Sequence, residues 1–449
     1  MRRSKQIVDS MFCVSSVALA AIVSSACVAG DGPDAAEATS SGSEATGDFT
    51  TGEPQDGDSG PSDLKLEVTA EGSCGPNTKE YFVIRAGLGG QSMAIDVDGY
   101  VYAWGANDKG QLGIGTVSTS QTTPKKIAGS QKFWDVAGGD KHTLGLAQDG
   151  TVWAWGDNSA GQLANPASSS PKKVAGLADV VQIAAGGRFS LALTAQGKLH
   201  AWGDNTHGQL GLGTIGGTKA TPQLVTGLTS PVEIGAGKEF AGALKGDGLW
   251  VWGRDNAGQL GNGSPTASRG APGLVPVAGI YDFVVGPEHA FVYVPQPSAK
   301  WYAWGNNNWG QLNTGDLATR VLPTVVTGTN FLWVSQLYAG AGATFVAGAS
   351  GFGPPKPGLE IESVGRNDYR QLLHTAPSPT KTLSPMKDVV KEGWEGDVDL
   401  GYLQHLAAGN GYTLMIVGTT VKAIGLNSTG QLGDGTLSAR NAPTNVCLP

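Results

Sequence analysis

The chain has 449 residues, 69 of them glycine, and only 15% are charged. Its formal net charge of −8 is unevenly placed: Arg2, Arg3, Lys5 and Asp9 leave the first 26 residues at +2, while residues 27–63 hold nine acids and no base. The remaining 386 residues are nearly neutral, so no basic footprint for nucleic acid is present.

In chain order, the first element is an export signal, residues 1–26. A basic start precedes the apolar stretch Met11–Val23, which is too short for a membrane-spanning helix. Small residues Ser24, Ser25 and Ala26 then lead to Cys27. This resembles a bacterial lipoprotein signal, in which the cysteine is lipidated and becomes the new N-terminus. Ser24 departs from that pattern, and plain cleavage after Ala26 followed by soluble secretion stays open. Both routes lead to an extracytoplasmic location. Residues 27–73 form an acidic linker almost without large apolar side chains. Such a segment buries too little surface to offset its ordering entropy and is expected to be disordered.

From Tyr81 one pattern recurs. The first copy reads Trp104-Gly105-Ala106-Asn107 and ends Gly110-Gln111-Leu112-Gly113. Trp155, Trp202, Trp252 and Trp304 open four further copies, and Val364 and Ile424 open two degenerate ones. The spacings are 51, 47, 50, 52, 60 and 60 residues. Within each copy an alternating apolar strand runs to a tight turn, such as Asp149-Gly150, and into a second strand carrying the tryptophan. A Pro-x-x-Ile/Val strand follows, as at Pro124–Ile127. Four short strands per copy make one propeller blade. The tryptophan is expected to end an inner strand and pack against the next blade. The asparagine and glutamine satisfy turn backbone, and the leucine packs beneath.

The W-G-x-N-x-x-G-Q-L-G core resembles the regulator of chromosome condensation repeat and covers Tyr81–Val446. Kelch and WD repeats lack this core. The resemblance implies an all-β fold, a seven-bladed β-propeller with four-stranded blades over residues 74–449. In eukaryotic relatives it also implies nucleotide exchange on a GTPase or chromatin binding, and in a bacterial relative, inhibition of a β-lactamase.

Comparing the copies separates scaffold from site. His142 and His289 share a column with Gln91, Phe189, Phe240 and Tyr412, so they read as packing residues, as does His200 on an aromatic strand position. The column before Gly-Gln-Leu instead varies freely: Lys109, Ala160, His207, Ala257, Trp309, Tyr369, Thr429. Trp309, Tyr369 and His207 are the candidate binding residues, since exposed aromatics commonly anchor interfaces. Trp309 and Tyr369, in consecutive blades, are expected to be neighbours, or else to fold back on their own loops. Asp96-Val97-Asp98 occupies a hairpin turn, and Asp397-Val398-Asp399 lacks the remaining ligands of a calcium loop. Extra length near Ser350–Gly358 and Lys387–Gly401 offers loop material for a site.

No catalytic constellation, metal site or cofactor motif is found. The expectation is an exported monomer that binds a protein partner or a surface glycan. Nucleic acid is not expected as a partner, and membrane contact comes only through lipidated Cys27. Regulation of an enzyme, including GTPase exchange, is the alternative. Finally, Cys74 and Cys447 bracket the place where the last repeat must return to the first, so they are expected to form a disulfide in an oxidising compartment.

Overall fold

A computed structural model describes residue 74 and residues 79–265, 268–295, 299–326, 333–349, 360–374, 378–385 and 403–449. All of them lie in the compact unit Gly72–Pro449. The signal, the acidic linker and the two long insertions fall outside the described residues.

Alternating apolar runs and positive-φ turn glycines give seven antiparallel sheets of four strands each. In blade one these are Tyr81–Ala86, Gln91–Asp96, Val101–Ala106 and Ser120–Lys126, hydrogen-bonded in that order. The other six blades repeat the arrangement, so every blade is contiguous in sequence. Each first strand touches the first strand of the following blade, and Leu403–Ala408 returns to Tyr81–Ala86. The first strands therefore surround the centre and the ring is closed. The fourth strands form the outer edges, where Pro124, Pro171, Pro222, Pro272, Pro323 and Pro443 limit edge pairing.

The tryptophans lie on third strands, one place in from the edge. Third strands are paired on both sides, so the expectation of an inner strand holds, but the indoles pack against the preceding blade and not the next: Trp155 lies in one cluster with Phe82, Met93 and Leu112. Their burial is complete. Each indole N–H donates to the glutamine carbonyl of the preceding blade: Trp155 to Gln111 at 3.0 Å, Trp202 to Gln162 at 2.8 Å, and Trp252 and Trp304 to Gln209 and Gln259 at 2.9 Å. Trp104 reaches Gln431 at 2.9 Å across the closure. Thr143, Ser190, Thr344, Thr413 and Ser92 donate hydroxyls to the same carbonyls in five seams. Thus the Gln of the repeat serves twice. Its carbonyl joins two blades, and its side-chain oxygen accepts the N–H two residues earlier, as in Lys109 to Gln111 at 2.8 Å.

The degenerate blades keep their packing by a paired exchange. The glycine after Leu112 has φ +70°, and a Cβ there would lie 2.7 Å from Trp155 Nε1. Gly211, Gly261 and Gly433 face a tryptophan in the same way. Where the next blade has Val364 or Ile424 instead, Asn313 and Leu373 occupy the glycine position, at φ 56° and 61°. Leu373 packs in one cluster with Ile424, filling space an indole takes elsewhere.

At the closure, Tyr412 donates its hydroxyl to Gln91 O at 2.9 Å and Tyr81 donates to Pro449 O at 3.2 Å. Cys74 and Cys447 stand here with Cα atoms 5.0 Å apart, within the span of a disulfide.

Candidate binding face

The loops after the first strands and the turns after the tryptophans share one face of the ring. Backbone bonds join them in every blade, for example Asp157 N to Lys141 O at 2.8 Å and Asn306 N to Glu288 O at 2.9 Å. The hairpins linking second and third strands lie at the other end of the strands. There Asp96 Oδ1 accepts the N–H groups of Asp98 and Tyr100, which is turn chemistry.

The variable column sits on the first of these faces, and each tip leans onto the loop of the next blade. Lys141 bonds Asp108 at 2.7 Å, and Arg188 bonds Ser159 at 3.2 Å. His207 Nε2 lies 4.0 Å from Glu239, which also pairs with Arg254. The Trp309 ring lies over Gly342, where a Cβ would come within 2.8 Å of its Cδ1. Tyr369 lies over Gly411. The Trp309 and Tyr369 rings therefore each lie near the loop of the following blade. Where the next loop carries Lys141, Arg188, Glu239 or Glu288, the tip is polar or small; over Gly342 and Gly411 it is aromatic.

This pairing divides the face into a charged arc of both signs over blades two to five and an aromatic arc over blades five to seven. Trp309 stays 36% exposed, and the Arg366 guanidinium stands 4.8 Å from its ring centre while bonding Asp368 at 2.6 Å. Tyr369 and His207 are half-buried.

His142 and His289 are buried between blades, their Nε2 atoms 3.1 Å from Ser190 Oγ and 2.9 Å from Thr344 Oγ1. Burial pulls both down to about 4, so they are neutral at physiological pH. His200 is half-buried on a third strand, and burial lowers it too. Among the described residues no group of three or more potential metal ligands is found.

At the centre of the face is a cavity of about 250 Å³, lined among others by Asp140, Glu288, His289, Trp309, Ala341 and Arg366. Sequence reading missed it, although its signal was present in the column Gly89, Asp140, Gly187, Lys238, Pro287, Ala341, Asn410. The backbone N–H of this column bonds from blade to blade: Asp140 to Gly187 O at 3.0 Å, Gly187 to Lys238 O at 2.8 Å, Lys238 to Pro287 O at 2.9 Å. Pro287 has no N–H, and the series breaks there.

A closed ring of seven four-stranded blades defines a seven-bladed β-propeller. The "Regulator of chromosome condensation (RCC1) repeat" description matches residues 98–146, 149–193, 196–244 and 300–347, and a second description of the same repeat matches 135–162 and 180–209. The chain belongs to this repeat family. Its fold is similar to that of Prp20p from Saccharomyces cerevisiae, with a TM-score of 0.65, 20% identity, and coverage of 79% of this chain and 87% of that one. Human WBSCR16 is similar in fold as well, with a TM-score of 0.65, 20% identity, and coverage of 78% and 94%. In sequence it is 43% identical over 74 residues to a Xenopus laevis RCC2 homolog, covering 16% of this chain and 14% of that protein. It is 41% identical over 75 residues to the human probable E3 ubiquitin-protein ligase HERC6, covering 16% and 7%. The matched stretches thus span under a fifth of these relatives' own lengths.

Proposed function

We propose that this protein is an exported, non-catalytic binding propeller that engages a protein partner through the tip face. The observation that carries the reading is the contrast within each repeat. Trp, Asn, Gln and Leu hold the blades, while the residue before Gly-Gln-Leu varies and includes Trp309, which lines the cavity, with Tyr369 and His207 on the same face. An exposed tryptophan beside charges of both signs suits a protein surface better than a polyanion. Relatives support a regulatory or binding role: the structure of Prp20p is described with its binding to Gsp1p and histones. Export rests on residues 1–26, with Cys27 as the lipid attachment point and residues 27–73 as spacer. The Cys74–Cys447 bond then locks the ring closure outside the cytoplasm.

The test is capture from envelope extract by the purified ring and by its Trp309→Ala/Tyr369→Ala variant. Binding that falls with an unchanged melting temperature supports the reading. Unchanged binding with a lowered melting temperature makes both residues seam packing only.

A further inference from the structure

We propose that the central cavity of the tip face receives an arginine side chain presented by the protein partner. This rests on the reading of that face as a binding surface. The case is an excess of acceptors that the ring itself leaves without donors. Thr344 donates its hydroxyl proton to Gln311 O at 2.9 Å, so its oxygen accepts from His289 Nε2 at 2.9 Å. The imidazole proton is thereby fixed on Nε2, and Nδ1 is left a bare lone pair, buried and without a partner. The Ala341 carbonyl stands where blades three to five receive an N–H from the preceding blade, but Pro287 has none to give. Glu288 Oε2 takes the Asn306 amide at 2.8 Å, leaving Oε1 open. The Asp140 carboxylate makes no hydrogen bond or ion pair with any described residue, and burial raises it above the usual carboxylate range despite the field of Lys238.

Two of the cavity's side-chain donors are committed. Arg366 is held by Asp368 and the Trp309 ring, and Asn306 is held by Glu288. Lys238 is exposed at the rim. A carboxylate ligand would add acceptors to acceptors, and a sugar brings nearly as many acceptors as donors. An ammonium is a compact point charge. A guanidinium carries five donors in a fixed plane and no acceptor, which answers several dispersed acceptors at once.

The experiment is titration calorimetry of the intact ring with the tripeptide Gly-Arg-Gly, blocked at both ends. The same peptide with citrulline, lysine or glutamate at the centre serves for comparison. Arginine is expected to bind at least about tenfold tighter than citrulline, which keeps the shape and loses the charge. Glu288→Gln and Asp140→Asn should each weaken binding several-fold at unchanged melting temperature. Pro287→Ala should weaken it by returning an N–H to the Ala341 carbonyl. Equal binding of arginine and citrulline, preference for glutamate, or no heat with any peptide overturns the proposal. The face reading fails separately, if partner capture survives the loss of Trp309 and Tyr369.

Discussion

Asp255 breaks the rule that every other copy of the repeat obeys. Asn107, Asn158, Asn205, Asn307, Asn367 and Asn427 hold the equivalent position, accepting the leucine N–H through Oδ1. In four of them Nδ2 donates to the carbonyl nine residues on: Thr116, Thr214, Asp316 and Thr436, at 2.9–3.0 Å. Asp255 keeps the first bond, with Leu260 N at 2.9 Å, but puts an oxygen where the donor belongs. Its Oδ2 is buried without a partner. Burial raises the carboxyl to about 6, tempered by Leu260, Asn262 and Arg269. Against an ordinary value near 3.9, two pH units correspond to about 3 kcal/mol when the group is ionised. A buried acceptor lacking its donor costs about 1–3 kcal/mol, which is the same penalty seen from another side. Asp255→Asn should therefore stabilise the ring by about 1–3 kcal/mol at pH 7, worth about 2–4 °C in a ring of this size. The sign of the pH dependence follows from a folded pKa above the unfolded one. Below about pH 4 the carboxyl is protonated in both states and wild type bears no penalty; the penalty grows from there and is complete above about pH 7. Melting curves of both proteins from pH 4 to 8 measure it. A difference that stays flat across that range, or a less stable variant at pH 7, would refute the reasoning.

Ile424→Trp alone should destabilise by about 1–3 kcal/mol through overpacking against Leu373, whereas Leu373→Gly with Ile424→Trp should recover most of it by restoring the glycine–indole pair; chemical denaturation of the double-mutant cycle reads the coupling. Cys74→Ser with Cys447→Ser should lower the melting temperature, with a chain-entropy ceiling of about 4–5 kcal/mol, and non-reducing peptide mapping should find the two cysteines joined. Replacing Trp309 and Tyr369 together by alanine should cost the partner complex more than about 2 kcal/mol, read as a faster off-rate on a surface carrying the captured partner. Cys27→Ser should move the protein from the membrane fraction to the soluble one, and an unchanged distribution would remove the lipid anchor from the proposal.

The parts of this ring that could be read from sequence are those whose bonds close within one repeat. Asn107 to Leu112 spans five residues and Lys109 to Gln111 spans two, so seven aligned copies expose the residue types directly. Strand order and blade number follow from the same periodicity. What escaped reading lies across the seams. Trp309 meets Gly342 and Leu373 meets Ile424 some thirty to fifty residues away, and a column read one position at a time treats each member as an independent variation. Read as pairs, with every tip set against the loop of the following blade, the columns carry the missing information: both aromatic tips lie over glycine, although Thr429 lies over Gly90, and the residue after the motif leucine is glycine or Ala164 where the next blade has its tryptophan and larger where it does not. The same shift of one blade would have exposed Pro287. In a chain of N–H to carbonyl bonds running around a ring, a proline silences the donor of its own blade and frees the acceptor of the next. The free acceptor in blade six is therefore written in blade five, the blade that also supplies Trp309 and Glu288. Sites on propellers of this kind are best sought at seams where one blade withholds what its neighbour expects, since the backbone bonds of the motif are otherwise repeated from seam to seam.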